Sequence, residues 1–260
     1  MNSIIIPESF PNIPEVVKKI QALFRSSKFE NKQLVALLEE DPLLCANILK
    51  LVNSPYYALK RKITSIEQAV ALLGRIVIRG IVMATVLKKS FPLNLSPYKI
   101  SLDDFDKIST LRVFFLKEWL KGSDYELENL LSVAFLMETG IVITSYTLTQ
   151  NNLQSKFLSL QNEHSILESE KILFNMNSYE VAAMLYEKWD FDEEFTEMLS
   201  DVKTPKTTEE NFLYVLSLLI GVDGILSDES IQRSLEIVKQ RDLDEQSFLR
   251  AIETTKREFF

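Results

Sequence analysis

The pattern that most constrains the fold is a repeated one: apolar residues recur at helical spacing between residues that start and stop helices. In SIEQAVALLG, Ser65 and Gln68 can form a capping box, and Gly74 is placed to end the helix. Asp41-Pro42 opens another helix, because Asp is a favoured N-cap and Pro a favoured first residue. The same spacing predicts helices along the whole chain, over 13–24, 31–38, 42–53, 65–74, 75–91, 101–122, 126–139, 153–174, 179–189, 193–201, 208–221, 228–240 and 244–258.

Turn-forming residues are scarce, which fits a helical chain. The sequence has 6 Gly and 8 Pro among 260 residues, against about 7% and 5% in typical proteins. Few hairpins can form with so few of these residues, so we predict an all-α, multi-helix domain. Apolar residues make up 46% of the chain, which is enough for a sizeable core.

No apolar run in the sequence reaches the roughly 20 residues that a membrane-spanning helix needs. The longest are FLYVLSLLIGV (212–222) and the run around Phe135. The N-terminal MNSIIIPESF lacks the basic and long apolar parts of a signal peptide. Cys45 is the single cysteine and so cannot form an internal disulfide. The sequence therefore predicts a cytoplasmic protein without a membrane span.

Two segments without a helical pattern divide the chain. PLNLSPY (92–98) holds two prolines, and VKTPKTTEEN (202–211) has the composition of a linker. We therefore predict three parts, which are an N-terminal helical half over 1–91, a second helical half over 99–201 and a C-terminal helical extension over 208–260.

Charge is divided unevenly along the chain. Residues 1–100 hold 14 Lys and Arg against 7 Asp and Glu, although the whole chain has a net charge of −8. Either the basic and acidic parts attract each other within the fold, or the basic part presents a face to an acidic partner. Nucleic acid is a poor candidate, because phosphate contacts need a concentrated basic face and the protein is acidic overall.

Several residues of the basic part are candidates for binding a partner. Arg75 and Arg79 are four residues apart and so share one helix face, where either internal carboxylates or an acidic partner can compensate them. Aromatic residues in a loop are favourable anchors for a partner. The candidates are Asn53, Ser54, Tyr56, Lys60, Arg61, Lys62, Arg75 and Arg79.

The histidine content of the sequence excludes most kinds of metal site. His164 is the only histidine, so no site with two histidine ligands can form within the chain, and its polar neighbours predict a place on the surface. Glu138 is out of place, because it stands in the apolar run LLSVAFLMETGIVI next to Thr139 and Gly140. Either the helix ends at Gly140, or the acid is the remnant of an active site.

Several motifs in the first 80 residues have the order and spacing of a known family. FPNIPEVVKKI, EEDPLLCANILKLVNSPYY and ITSIEQAVALLG closely resemble the opening half of the HDOD domain, a relative of the HD metal-dependent phosphohydrolases. The resemblance covers about residues 10–200. It implies an all-helical fold and a regulatory role in bacterial signal transduction, with motility and gene regulation as expected processes.

The resemblance also identifies the positions of a lost site. In HD hydrolases a helix carries a His-Asp pair at the metal, and here Met137 and Glu138 stand in those positions. Ser178 stands where another histidine precedes a glutamate, which is retained as Glu180. The resemblance therefore implies a protein without metal, cofactor or phosphohydrolase activity. Its expected partner is another signalling or regulatory protein with an acidic face.

A second hypothesis keeps the former cleft as a receptor site for a small ligand, such as a nucleotide or second messenger. The residues expected to line that cleft are Glu138, Thr139, Ser178 and Glu180. Their negative charge disfavours a phosphate. The oligomeric state stays open in both hypotheses.

Overall fold

Helices form all the regular structure in the part of the chain that the structure describes, which confirms the predicted all-α class. The structure is a computed structural model, and it describes residues 12–26, 29–53, 61–91 and 94–260. The α-helices are, in chain order, α1 (Glu15–Arg25), α2 (Asn31–Glu39), α3 (Pro42–Val52), α4 (Ile66–Leu73), α5 (Arg75–Ser90), α6 (Leu102–Trp119), α7 (Leu127–Leu136), α8 (Gly140–Gln150), α9 (Gln154–Leu160), α10 (Ile166–Phe174), α11 (Ser178–Lys188), α12 (Glu193–Ser200), α13 (Thr208–Leu219), α14 (Asp228–Gln240) and α15 (Glu245–Phe259). Short 3-10 turns cover Ser96–Tyr98, Met137–Thr139 and Asp201–Lys203.

The predicted start and stop signals form the helix ends. Ser65 Oγ accepts a hydrogen bond from the backbone N–H of Gln68 at 3.2 Å, but the Gln68 side chain accepts from the N–H of Thr64 at 2.9 Å, so only half of the predicted capping box forms. Asp41 caps α3 by accepting from the N–H of Leu44 at 2.9 Å. Gly74 has a φ of +82° and turns the chain between α4 and α5, a conformation that glycine adopts without strain.

One predicted helix, over 153–174, is divided in two. α9 ends at Leu160, and α10 begins at Ile166. Ser165 Oγ accepts from the N–H of Glu168 at 3.3 Å, and the Glu168 carboxylate accepts from the N–H of Ser165 at 2.8 Å. This capping box is readable in the sequence. The single-helix prediction was therefore wrong, although the signal that corrects it is local.

The alternative that Gly140 turns the chain and ends the helix is also wrong, although α7 itself ends nearby, at Leu136. Gly140 has helical backbone angles, φ −60° and ψ −29°, and the chain continues through a 3-10 turn into α8. A glycine stands there because of a contact: a Cβ at this position would lie 1.8 Å from the backbone oxygen of Ser178. α8 therefore approaches the first turn of α11 at a distance that leaves no room for a side chain.

The buried apolar residues form one continuous core. α5 packs against α7, which also contacts α6 and α13, while α8 packs against α11. α15 lies along α6, and α13 pairs with α14. The predicted linker over 202–211 is in close contact with this core, since Val202 is fully buried. The exact segment boundaries stay predictions.

The most apolar part of the chain runs from Leu127 to Gln150, through α7, the 3-10 turn and α8. This stretch of 24 residues is long and apolar enough to cross a membrane. It exceeds the length read from the sequence because α8 was not predicted. Neighbouring helices bury 94% of its most apolar window, and α4 with α5 passes the same test only as a pair bent by 118°. In this structure the Leu127–Gln150 stretch is packed inside the domain.

Candidate functional site

The residues at the former HD positions lie in the interior of the domain. Met137 and Glu138 begin the 3-10 turn between α7 and α8, and only 4% of Glu138 is exposed. Ser178, the first residue of α11, is buried as well. A charged carboxylate is costly to bury alone, so Glu138 requires a partner.

That partner is Arg112, on α6. Its Nη1 lies 2.5 Å from Oε1 of Glu138, and neither side chain is more than 5% exposed. The guanidinium also donates from Nε and Nη2 to the backbone oxygen of Ile220, at 3.1 and 2.5 Å. Glu138 is therefore one half of a buried ion pair, which explains an acid in the middle of an apolar run.

A phenol completes the surroundings of the ion pair. The hydroxyl of Tyr179 donates to Oε1 of Glu138 over 3.3 Å. Burial is the main cause that raises the pKa of Tyr179 well above its usual value, and the charge of Glu138 is the second. Tyr179 therefore stays a neutral hydrogen-bond donor toward the carboxylate.

A second buried acid, Glu170 on α10, is tied to the same helix, α11. One of its oxygens accepts from the hydroxyl of Tyr98 at 2.5 Å, and the other accepts from the N–H of Ser178 at 2.7 Å. Burial raises the pKa of Glu170 to about 7. The Tyr98 hydroxyl also lies 2.5 Å from Oγ1 of Thr144 on α8. These contacts fix the first turn of α11 against α8 and α10.

The residues at the former HD positions do not fit a metal ion. Met137 carries no oxygen or nitrogen in its side chain, and Glu138 is already matched by the charge of Arg112. His164 is exposed, as predicted, between α9 and α10. Among the described residues, no group of three or more His, Cys, Asp or Glu could hold a metal ion. Hard cations need several oxygen ligands, and this arrangement does not offer them.

A cleft of about 550 Å³ lies beside the ion pair, within the usual size range of small-molecule sites. Two of the residues that the sequence placed there, Glu138 and Ser178, do line it. The other two do not: Thr139 is fully buried, and Glu180 lies 3.2 Å from Lys171 in an ion pair of its own.

The cleft is not acidic, so the expectation of a negatively charged lining is wrong. Its charged lining residues are Glu138, Glu168, Lys171, Lys203 and Arg233. Because Arg112 compensates Glu138, the cations outweigh the remaining acid. Positive charge here comes from side chains that the sequence did not identify as site residues.

Lys203 is the most unusual of these cations. It stands on the 3-10 turn after α12, where its Nζ lies 3.4 Å from Oγ of Ser217 and 4.9 Å from the ring centre of Tyr214. Burial is the main cause that lowers the pKa of Lys203 to about 8, and the charge of Arg233 is the second. No salt bridge of Lys203 occurs within the described part of the chain.

Arg75 and Arg79 are engaged inside the fold. Arg75 Nη2 lies 3.1 Å from Oε2 of Glu128 on α7. Arg79 is only 6% exposed; it donates from Nη2 to Oε1 of Gln21 at 2.6 Å, and its guanidinium lies 4.5 Å from the ring centre of Phe191. Burial lowers the pKa of Arg79 to about 10, so it keeps its charge at neutral pH. Arg79 is thus inaccessible to a partner in this structure, and Arg75 is compensated internally.

The other candidates of the basic part have different surroundings. Asn53 closes a loop, because its Nδ2 donates to the backbone oxygen of Ile63 and its Oδ1 accepts from the Ile63 N–H, both at 2.8 Å. Arg61 and Lys62 are exposed and form no salt bridge with a described residue. The described residues do not include Ser54, Tyr56 and Lys60.

A family model matches most of the chain. It is the model of the HDOD domain, and the match covers residues 10–205. No curated protein matches the chain.

Several solved structures share the fold. A virulence factor from Campylobacter jejuni subsp. jejuni is 26% identical, with a TM-score of 0.58 over 97% of this chain and 94% of that one. An HDOD domain protein with unknown function from Geobacter sulfurreducens is 19% identical, with a TM-score of 0.68 over 97% and 91%. A candidate signal transduction protein from Marinobacter aquaeolei VT8 is 17% identical, with a TM-score of 0.68 over 95% of this chain. This chain spans only 58% of that protein's length.

Proposed function

This chain belongs to the HDOD domain family, and we propose that it is a cytoplasmic regulatory protein of bacterial signal transduction that acts by binding and not by hydrolysis. The observation that carries the proposal is the buried ion pair of Arg112 and Glu138 at the former HD positions. Family membership over residues 10–205 supports the regulatory role.

The ion pair argues against a metal-dependent reaction at this place. A hydrolytic metal site needs a set of ligands that hold the ion and lower the pKa of a bound water. Here the carboxylate has a guanidinium 2.5 Å away as its counter-charge. A metal cation brought to Glu138 would be repelled by Arg112, and Met137 and Ser178 replace the residues that would bind it from the other sides. What remains is a stable internal contact.

Signalling is the context in which a binding protein of this family is expected to act. The fold likeness to a candidate signal transduction protein supports that context. Motility and gene regulation are the processes that we propose for it. Burial of the Leu127–Gln150 stretch supports a cytoplasmic place for the domain.

The partner that we propose is a signalling protein with an acidic face. Arg75 pairs with Glu128 and Arg79 is buried against Gln21, so we propose that the partner contacts other residues of the basic part. Arg61 and Lys62 are exposed and lack an internal carboxylate among the described residues. Exposed charges of one sign steer a partner of the opposite sign and set the salt dependence of binding.

Reversing the charge of Arg61 and Lys62 is expected to abolish capture of the partner without changing the melting temperature. The tagged full chain and the Arg61→Glu, Lys62→Glu double variant are used to capture proteins from a lysate of the source organism, at low and at high salt. We expect the original chain to retain acidic proteins at low salt and to lose them at high salt, because salt screens exposed charges. The variant should retain these proteins at neither salt concentration.

A matched control reverses two positive charges elsewhere. Lys156 and Arg241 are exposed and lie outside the basic part of the chain, so Lys156→Glu with Arg241→Glu should capture the same proteins as the original chain. If both double variants capture an unchanged set, the proposed surface is wrong. If the control loses the partner as well, the effect is one of net charge and the surface is equally excluded.

A further inference from the structure

The cleft beside the ion pair is completed by the C-terminal segment, beyond the part that matches the family. The family match ends at residue 205. α13, α14 and the turn between them contribute Ser217, Leu218, Gly221, Val222 and Arg233 to the cleft. The shape and charge of this cleft are therefore properties of this chain and do not follow from membership of the family.

Two cations in the cleft lack internal partners. Lys203 is partly buried, and its Nζ has only the Ser217 hydroxyl and the face of Tyr214 as its described contacts. Arg233 lines the same cleft from α14 and forms no salt bridge with a described residue. Arg233 is exposed, so the cost of burial without a counter-ion falls on Lys203 alone, and the like charge of Arg233 nearby adds to it. An anion bound beside both would give Lys203 a counter-ion and offset the repulsion.

The nearby acids do not supply that anion. Glu138 is compensated by Arg112 at 2.5 Å. Glu168 caps its own helix by accepting from the N–H and the hydroxyl of Ser165, both at 2.8 Å. Lys171, the third cation of the lining, already pairs with a carboxylate. The unmet positive charge is thus confined to the side of the cleft that Lys203 and Arg233 form.

The remaining walls of the cleft are largely apolar. Their apolar residues are Ile141, Ile166, Leu167, Leu218 and Val222, and Ser165, Asn177, Ser178 and Tyr179 are among the others. A site that combines a cationic end with apolar walls fits a ligand with an anionic group and an apolar or aromatic body. A phosphate suits two cations that line one cleft better than a carboxylate does, because it carries more charge and three acceptor oxygens.

We propose that this cleft binds a phosphate-bearing small molecule, with the phosphate between Lys203 and Arg233 and an apolar body against Ile141 and Val222. The inference rests on the proposed function in one respect, which is that the ligand is bound and released unchanged.

Phenyl phosphate is the probe for this site, and phenol is its neutral match. The full chain is titrated with each compound by isothermal titration calorimetry. The binding site is located from changes in the backbone amide chemical shifts in NMR spectra. We expect saturable binding of phenyl phosphate, at least about tenfold tighter than that of phenol, because charge-assisted contacts to the phosphate are lost in phenol. Lys203→Met with Arg233→Gln should lower the affinity at least about tenfold.

A matched double variant separates the site from general charge. Lys206 pairs with Asp201 and Lys239 with Glu245, and neither lysine lines the cleft. Lys206→Gln with Lys239→Gln should therefore bind phenyl phosphate as the original chain does. Equal weakening in both double variants, or no binding of phenyl phosphate to the original chain, overturns the proposal.

The same titration distinguishes this inference from the proposed function. Release of phenol from phenyl phosphate, with binding still dependent on Lys203 and Arg233, would contradict the non-catalytic function and support the site. Binding without release, lost in the cleft variant, supports both. A melting temperature measured for each variant shows that the fold is kept, since methionine retains the apolar contacts of the lysine stem.

Discussion

Gly140→Ala is expected to destabilise the protein by about 3 kcal/mol or more, which is enough to prevent stable folding in a marginal domain. An added Cβ would lie 1.8 Å from the backbone oxygen of Ser178, 2.7 Å from its carbonyl carbon and 3.1 Å from the backbone nitrogen of Ala182. These are backbone atoms of α11, so relief requires α8 and α11 to move apart. Alanine has the better helix propensity by about 1 kcal/mol, and the clash outweighs this gain.

Chemical denaturation of Gly140→Ala and Gly221→Ala measures this effect against a matched control. A Cβ at Gly221 meets only the side-chain oxygen Oδ1 of Asp223, at 3.3 Å, and that side chain can shift. We expect the free energy of unfolding of Gly221→Ala to stay within about 0.5 kcal/mol of the original value. Equal stability of the two variants would show that the close approach of α8 and α11 does not exist.

Arg112→Met is expected to cost about 3–5 kcal/mol, because it leaves the Glu138 carboxylate buried without a counter-charge. The guanidinium has no exposed surface, and it also provides two donors to the backbone oxygen of Ile220. That oxygen becomes unsatisfied in the variant as well. Thermal or denaturant unfolding at neutral pH measures the loss.

Removing both charges should be milder than removing one. In Arg112→Met with Glu138→Met, no buried ion remains, and buried ion pairs replaced by apolar side chains are often neutral in stability. We therefore expect the double variant to be more stable than Arg112→Met alone. Glu138→Met alone completes the comparison. Strict additivity of the two single effects would mean that Arg112 and Glu138 do not interact, and it would contradict the explanation of the buried acid.

Capping residues and apolar spacing predicted most of the helices correctly. They failed where contacts between distant parts of the chain determine the role of a residue. Ser65 and Asp41 form the expected caps, since capping depends only on residues within one turn. Gly140 was predicted as a helix end because glycine commonly stops helices. Its actual role depends on Ser178, 38 positions further along the chain, so no local pattern could show it.

The ion pair shows the same limit for the candidate site. The sequence identified Glu138 as an acid in an apolar run, but its partner Arg112 is on another helix and has no motif of its own. An arginine within the apolar pattern of α6 was the only available signal. Lys203 was even harder to identify from the sequence, because it lies in a segment with the composition of a linker. It becomes part of a cleft only when α13 and α14 fold beside it.

The uneven charge along the chain allowed two interpretations, which are internal pairing and a face for an acidic partner. The structure shows contacts for internal pairing. Arg75 pairs with Glu128, and Arg25 lies 2.5 Å from a carboxylate oxygen of Asp190. The basic part therefore does bind the acidic part within the fold. Such half-exposed pairs contribute only about 0.2–1 kcal/mol each, so they orient the two parts more than they stabilise them. The binding face at Arg61 and Lys62 stays a prediction.

The metal content of the purified protein tests most directly the claim that the former HD positions hold an internal ion pair in place of a metal centre. Protein purified without chelator is equilibrated with manganese, iron, zinc and magnesium salts, desalted and subjected to elemental analysis. We expect far less than one ion per chain, because Glu138 is committed to Arg112 and too few ligands surround it. About one tightly held ion per chain, lost on Glu138→Ala, would contradict the account.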